Sequence, residues 1–155
     1  MSRVIVPSAS NADRLSAIAA AAFDGDGAGW AAADFLALAE APGTLLVTDA
    51  QFRDALLVLR VAADEAEILE FGVIPSARRA GLGRQLLATA EALAARRGAK
   101  TMFLEVAVDN AAALALYQST GWAEAGLRRG YYQRDGGAPV DALIMRRTLV
   151  APAER

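Results

Sequence analysis

The chain has 155 residues, of which 55% are hydrophobic and 22% are charged, and its formal net charge is −2. This length and composition predict one globular domain over residues 1–155, with enough chain to bury a core without disulfides. The chain contains no cysteine and no histidine. Their absence excludes thiolate nucleophiles, Cys-ligated zinc, the Ser-His-Asp triad and imidazole acid/base catalysis.

The charge is distributed unevenly along the chain. Residues 1–75 carry 4 basic and 11 acidic side chains, whereas residues 76–100 carry 6 basic side chains and one acidic side chain, Glu91. One basic segment in an acidic protein predicts a compact polyanionic ligand, and we expect no nucleic-acid partner. The uninterrupted apolar stretch 17–23 is far shorter than the ~20 residues that span a bilayer. We therefore expect no membrane partner. The first ten residues lack the long apolar core of a secretory signal, so we also expect a cytoplasmic protein.

Apolar periodicity and turn residues predict seven strands and four helices. In chain order they are strand 3–7, helix 10–22 with Ser10 or Asn11 as its N-cap, helix 30–40, strands 44–48, 55–62 and 67–74, helix 82–97, strand 101–108, a helix capped by Asp109 or Asn110 that ends at Thr120, and strands 122–130 and 141–150. The longest helix has a clear apolar stripe, made of Leu82, Leu86, Ala90, Leu93 and Ala94. This mixture predicts an α+β fold with one mixed sheet.

Two motifs carry the chemistry. The first, Arg78-Arg79-Ala80-Gly81-Leu82-Gly83-Arg84, joins a strand to the longest helix. Glycines and free N–H groups at a helix N-terminus form a phosphate site. A dinucleotide fingerprint would need glycine at Leu86, and the Gly-Lys-Ser/Thr of a P-loop is missing. The second motif places Asn110, Ala113 and Tyr117 on one helix face through spacings of three and four.

Together, Arg-x-x-Gly-x-Gly and LEVAVDNAAALALYQSTGW resemble the GNAT superfamily of acyl-CoA-dependent N-acetyltransferases, over roughly residues 65–150. The resemblance implies one GNAT-like domain with a mixed seven-stranded sheet that is flanked by about four helices and splayed between its fourth and fifth strands. It also implies acetyl-CoA as acyl donor and no metal. In the implied site, the pyrophosphate binds the N–H groups of residues 81–84 (Gly81, Leu82, Gly83 and Arg84), and Arg78 and Arg79 also contact the cofactor. The pantetheine arm lies along the backbone of Phe71, Gly72 and Val73. Asn110, Ala113 and Tyr117 complete the cofactor site.

An attacking amine must first lose a proton, and a carboxylate with a raised pKa can accept it. Glu105 is the preferred base because it lies in a strongly apolar strand, between Leu104 and Val106. Glu67 and Glu70 on the preceding strand remain alternatives, and some GNAT lysine acetyltransferases place a base at the position of Glu67. Tyr117 would stabilise the leaving thiolate by a hydrogen bond.

Finer details resemble the bacterial ribosomal-protein alanine N-acetyltransferases. The matching residues are Leu104-Glu105-Val106, Asn110-Ala111-Ala112, Leu116-Tyr117, Gly121, Arg128-Arg129, Tyr131-Tyr132, the segment 141–145, and the spacing of Trp30 and Phe35. The resemblance implies an acceptor groove formed by Trp30, Phe35, Glu70, Tyr131 and Tyr132. The chain departs from this pattern at Ala107, in the insertion between Phe23 and Trp30, and in the loop after Tyr132, all on the acceptor side.

These features predict direct acetyl transfer to a primary amine, without a covalent enzyme intermediate. The expected acceptor is a protein N-terminal α-amine on a ribosomal protein, since the acidic N-terminal part suits a cationic partner. Two alternatives stay open: acetylation of a small amine (an amino acid, polyamine or aminoglycoside), and a non-catalytic acyl-CoA-binding sensor. We expect a monomer or a homodimer.

Overall fold

The computed structural model describes residues 2–22, 30–134 and 136–151. The elements are β1 (Ser2–Ile5), α1 (Ala12–Ala22), α2 (Ala32–Leu38), β2 (Thr44–Asp49), β3 (Ala55–Ala62), β4 (Glu65–Val73), a 3₁₀ turn (Pro75–Ala77), α3 (Leu82–Arg96), β5 (Thr101–Ala107), α4 (Ala111–Ser119), β6 (Ala123–Tyr132) and β7 (Val140–Thr148). Every predicted helix and strand is present, with its ends moved by two residues or fewer. The departure proposed between Phe23 and Trp30 lies outside the described residues.

In the described ranges, all seven strands form one sheet in the order β1-β2-β3-β4-β5-β7-β6. Among the strands of the described residues, β4 and β5 are the only neighbours that run parallel, so the sheet is mixed. Their pairing extends from Glu65↔Thr101 to Glu67↔Phe103, about the first third of β4. Beyond it the two strands separate, as predicted, and leave an opening in the middle of the sheet. This confirms the GNAT-like α+β fold.

Apolar side chains fill both faces of the sheet. The face under α3 and α4 holds the larger core, with Leu86, Met102 and Met145 fully buried. The face under α1 and α2 holds a second core around Leu15 and Phe35. The stripe of α3 differs from the predicted one: Leu87 is also buried, whereas Leu82 and Leu93 are only half-buried. The buried face of α3 is therefore wider than the predicted stripe, because Leu86 and Leu87 both pack into the core on this face of the sheet. In the described part of the chain, no helix combines the length and apolar character needed to cross a membrane.

Candidate active site

A β-bulge in β4 sets the direction of the side chains beside the opening. Val58 pairs with Glu70 and the next residue, Leu59, pairs with Ile68, so Leu69 is the extra residue. Ile68 and Phe71 contact the same core under α3 although they are three residues apart. The alternation of side chains therefore changes at the bulge, and Glu70 faces the α1/α2 side, where Leu69 and Ile74 also pack.

The loop after β4 delivers free N–H groups to the start of α3. Gly81 is the N-cap of α3 and has a φ of 80°, and no side chain caps the N–H groups of the first turn. The first N–H groups of a helix have no acceptor within it, so those of residues 81–84 can bind an anion. A Cβ added at Gly83 would lie 3.4 Å from Leu116 Cδ2 and 3.6 Å from Phe71 Cζ. These are ordinary van der Waals distances, so Gly83 faces β4 and α4 at a position where a methyl group would also fit.

The arginines of this loop have different contacts. Arg78 Nε donates to Val73 O at 2.9 Å, and an Nη donates to Ala22 O at 2.8 Å. These bonds tie the end of β4 to the end of α1. These two bonds hold the Arg78 guanidinium at backbone carbonyls, and cofactor binding by Arg78 stays a prediction. Arg84 donates to Ser119 Oγ at 2.7 Å and connects α3 to α4.

Helix α4 places Tyr117 next to the opening. Asn110 is the N-cap of α4, since its Oδ1 accepts from the Ala113 N–H at 3.1 Å. Its amide oxygen is thus used within the helix. Tyr117 is buried, with its ring centre 6.4 Å from that of Phe71 and 5.9 Å from that of Trp122. Burial, with a smaller effect of Tyr132, raises the pKa of Tyr117, so its hydroxyl stays protonated and can donate a hydrogen bond.

Glu105 is part of a charged cluster. Its Oε1 lies 2.8 Å from Arg128 Nε. A hydrogen bond from Tyr131 to Glu105 raises the pKa of the Tyr131 hydroxyl, and the Arg128 guanidinium lies 5.5 Å from the centre of the Tyr131 ring. The expected apolar surroundings are therefore wrong for Glu105. Leu104 and Val106 point into the core under α3, and alternation directs Glu105 to the opposite face.

The two alternative carboxylates differ sharply. Glu67 pairs with Arg60 Nη2 at 3.0 Å, and both side chains are almost half exposed. With Glu105 and Arg128, it lines a surface cavity of about 410 Å³. Glu70 has no ion-pair partner among the described residues. Burial raises the pKa of Glu70 to about 7, although the Phe71 N–H opposes this shift by donating a hydrogen bond.

Tyr132 connects these groups. Burial, and then the nearby charges of Glu105 and Glu70, raise the pKa of Tyr132 to about 12, while Arg134 acts in the opposite direction. The Tyr131 and Tyr132 rings meet edge to face, 5.1 Å between centres. Glu105 and the two tyrosines therefore lie close together, and Glu70 is near enough to Tyr132 to influence its pKa.

Only part of the predicted acceptor wall is exposed. Phe35 is fully buried in the core under α1 and α2, so it cannot contact an acceptor directly, and this prediction is corrected. Its ring centre lies 5.5 Å from that of Trp30, which is half-buried. Phe35 therefore supports Trp30 from inside the core. Among the described residues, no group of three or more Asp and Glu side chains is arranged to bind a metal.

Sequence reasoning missed Arg60, Arg128 and Arg134 as parts of this site. Arg128 was noted only as a matching residue, and its contact with Glu105 depends on β6 folding back beside β7. Arg134 pairs with Asp109 at 3.1 Å and thereby connects the loop after β6 to the start of α4. No local pattern marks either contact, because the partners are 23 and 25 residues apart.

The family profile of acetyltransferases (GNAT) matches residues 9–122, which include the loop before α3 and most of α4. The chain belongs to the GNAT family. Its relatives include [Ribosomal protein bS18]-alanine N-acetyltransferase of Escherichia coli strain K12, 44% identical over 91 residues, and N-alpha-acetyltransferase RimI of Mycobacterium tuberculosis, 45% identical over 89 residues. The first match covers 59% of this chain and 61% of the relative, and the second covers 57% and 52%. The matched segment thus spans less than two thirds of either relative.

The fold comparison extends over nearly the whole chain. The crystal structure of the ribosomal-protein-S18-alanine N-acetyltransferase from Escherichia coli superposes with a TM-score of 0.81 and 30% identity. The superposition covers 99% of this GNAT chain and 97% of that chain. The likeness therefore includes strands β5 to β7 as well as the loop before α3.

Proposed function

We propose that this GNAT protein transfers the acetyl group of acetyl-CoA directly to the N-terminal α-amine of a protein. The observation that carries the proposal is the opening between β4 and β5. The N–H groups of residues 81–84 lie at its α3 side, and Glu70, Glu105 and two tyrosines lie at its other end. Such an opening allows donor and acceptor to approach the same point from opposite faces of the sheet.

The donor side suits a CoA thioester. The N–H groups of Gly81, Leu82, Gly83 and Arg84 would bind the pyrophosphate, helped by the positive end of the α3 dipole and by Arg79. The backbone at Phe71, Gly72 and Val73 lies beyond the last registered pair with β5, so it can bond to pantetheine as to a neighbouring strand. Ala113 and the N-cap at Asn110 would border the same channel.

The reaction requires a neutral amine and a stabilised leaving group. At pH 7, deprotonating an α-amine costs about 1.4 kcal/mol, whereas a lysine side chain costs nearer 5 kcal/mol. The neutral nitrogen attacks the thioester carbon, a C–N bond forms and the C–S bond breaks. The Tyr117 hydroxyl would donate a hydrogen bond to the sulfur as its negative charge develops. Since burial raises the pKa of this phenol, it acts as a hydrogen-bond donor rather than as a strong acid.

The acceptor side favours a cationic peptide. Glu70 and Glu105 can attract an ammonium group, and the exposed Tyr131 and the half-buried Tyr132 and Trp30 can border an extended backbone. The names of the two relatives given above describe acetylation of a ribosomal-protein alanine and of N-terminal α-amines. We therefore propose the N-terminal alanine of a ribosomal protein as acceptor, and the cytoplasm as the location of the reaction.

The test is thiol release from acetyl-CoA in the presence of an Ala-starting ribosomal-protein peptide. The same peptide with a blocked N-terminus is the matched control, and a panel of amino acids, polyamines and aminoglycosides runs in parallel. We expect turnover with the free peptide only. If only a small amine is acetylated, the proposed acceptor is wrong, but the proposed acetyltransferase activity stands. Binding of acetyl-CoA without turnover on any amine would instead indicate an acyl-CoA sensor.

A further inference from the structure

We propose that Arg128 is a positioning residue, which holds the Glu105 carboxylate in one orientation for the acetyl transfer. The inference rests on the proposed function, in which the GNAT resemblance implies that Glu105 takes the proton of the acceptor amine. It adds a residue of β6 that acts on the reaction through this carboxylate.

Two side chains of β6 hold the same carboxylate. Arg128 Nε lies 2.8 Å from Glu105 Oε1, and the Tyr131 hydroxyl donates a hydrogen bond to the Glu105 side chain. The Arg128 guanidinium lies 5.5 Å from the centre of the Tyr131 ring, within the range of a cation–π contact. The Glu105 side chain is 18% exposed and that of Arg128 is 56% exposed. A largely buried carboxylate is thus held by a guanidinium that reaches it from the solvent side.

An irregularity in β6 makes both contacts possible. In a regular strand, residues three positions apart point to opposite faces of the sheet. Between Arg128 and Tyr132, however, β6 advances four residues while β7 advances two. The extra residues of β6 interrupt the alternation, and Arg128 and Tyr131 therefore both contact Glu105.

Asp141 fixes this irregular segment. Its Oδ1 accepts from the Gly130 N–H at 2.8 Å, and its backbone oxygen accepts from the Val108 N–H, just after the end of β5, at 3.0 Å. Gly130 has a φ of 61°, in the left-handed region that glycine adopts without strain. The strand that carries Glu105 and the segment that holds its carboxylate are therefore connected through one residue.

A fixed carboxylate favours proton transfer, because the transfer depends on the geometry of the two groups. A glutamate free to change rotamer would direct its oxygens at the amine only part of the time. A carboxylate has about four acceptor positions, so the contacts with Arg128 and Tyr131 leave room for the amine. Arg128 therefore orients Glu105 without blocking it.

The experiment is a double-mutant cycle of Arg128→Gln and Glu105→Gln, with thiol release measured from acetyl-CoA and the Ala-starting peptide. Arg128→Lys tests rescue, because its ammonium group can also contact Glu105. Arg146→Gln is the matched control, since it removes the same charge from an exposed position of β7, two residues from the register partner of Glu105. Thermal unfolding and calorimetric titration with acetyl-CoA check that each variant keeps its fold and its donor affinity.

We expect Glu105→Gln to lower kcat about 100-fold. Arg128→Gln should lower kcat about tenfold through misplacement of the base. It should not raise the KM of a cationic peptide, since it removes a positive charge beside Glu105. The double variant should lose no more than Glu105→Gln alone, because the base that Arg128 orients is already gone. Arg128→Lys should recover most of the lost kcat, and Arg146→Gln should leave kcat unchanged.

Asp141→Ala and Asp141→Asn give a second test of the same orientation. Alanine removes the acceptor of the Gly130 N–H, whereas asparagine keeps Oδ1. Asp141→Ala should therefore lower kcat about tenfold, again without a further effect in Glu105→Gln, and Asp141→Asn should stay close to the unchanged protein.

Three results would overturn the inference and leave acetyl transfer intact. The first is an unchanged kcat in Arg128→Gln. The second is a loss in the double variant equal to the product of the single losses, since Arg128 would then act independently of Glu105. The third is a higher kcat/KM in Arg128→Gln than in Arg146→Gln, since Arg128 would then compete with the acceptor for Glu105. If the unchanged protein releases no thiol with any amine, the proposed function fails and the inference fails with it.

Discussion

At the scale of single residues, contacts across the sheet decide what each carboxylate can do. Glu67, Glu70 and Glu105 all lie on strands with apolar neighbours in sequence. Glu67 and Glu105 have arginine partners on adjacent parts of the sheet, and Glu70 is turned by a bulge into a place without a cation among the described residues. Their chemistry differs although their local sequences are similar.

The raised pKa of Glu70 predicts that the free energy of unfolding depends on pH, and this prediction can be tested without measuring activity. Burial raises the pKa of Glu70 in the folded protein to about 7, against an ordinary value of 4.5. The contribution of Glu70 to stability is therefore present below pH 4.5 and is lost as the pH rises through 7. Glu70→Gln does not ionise, so at pH 8 it should be more stable than the unchanged protein, by on the order of 3 kcal/mol.

Urea unfolding of the unchanged protein and of Glu70→Gln, at pH 4.5 and at pH 8, measures the difference in their free energies of unfolding. This difference should be small at pH 4.5. Glu67→Gln, exposed on the same strand, should change stability little at either pH. Equal effects of Glu70→Gln at both pH values would contradict the raised pKa.

Tyr117→Phe tests the hydroxyl of the buried tyrosine. The ring contacts with Phe71 and Trp122 remain, so folding and acetyl-CoA affinity should change little. Loss of a hydrogen bond made mainly in the transition state should lower kcat about 100-fold. Steady-state kinetics and calorimetric titration with acetyl-CoA measure the two effects separately. A kcat close to that of the unchanged protein would exclude this role for Tyr117.

At the scale of elements, helix α3 begins at the residue that the sequence predicts, and its first turn lies at the proposed donor channel. Its first turn carries Gly83, which faces Leu116 and Phe71, and Gly98 follows its last turn with a φ of 93°. Both glycines appear as ordinary helix-boundary signals in the sequence. Only the packing shows that one lies against the proposed donor channel and the other in open space.

We expect opposite effects from alanine at these two positions. Gly83→Ala makes ordinary contacts and should leave stability unchanged or raise it by up to about 1 kcal/mol. Its methyl group narrows the channel beside Phe71, so acetyl-CoA affinity should fall about tenfold. Gly98→Ala should lose about 1–2 kcal/mol through the positive φ and keep its affinity. Thermal unfolding and calorimetric titration distinguish the two variants, and equal acetyl-CoA affinities would refute the role of Gly83.

At the scale of the whole molecule, acidic and basic side chains are concentrated in different segments of the chain. The acidic segment 1–75 forms β1 to β4, α1 and α2, which include the acceptor face, and the basic segment 76–100 forms the loop and α3. This division along the chain suits the proposed substrates, an anionic donor bound at the basic segment and a cationic acceptor.

This arrangement predicts that salt weakens use of a basic acceptor peptide. Raising the ionic strength from about 20 to about 200 mM should lower kcat/KM several-fold, because the added ions screen the attraction. A peptide with the same first residue and neutral following residues is the control and should change little. Equal salt dependence of both peptides would argue against electrostatic selection of the acceptor.

The sequence alone determined the elements, the α+β class and the loop before α3. These features depend on short-range patterns: period-two and period-3.6 alternation, helix caps, and glycines before a helix. The N-cap at Asn110 and the buried stripe of Leu86, Ala90 and Ala94 follow from such patterns.

The tertiary structure decided the surroundings of the site residues. The Glu105–Arg128 contact, the burial of Phe35 and the ties made by Arg78 join residues far apart in the chain. The bulge at Leu69 depends on the register with β3 and reverses the face of every later side chain in β4. Burial, strand register and partners across a sheet arise only when distant segments pack together, and they determine which carboxylate can take up a proton near neutral pH.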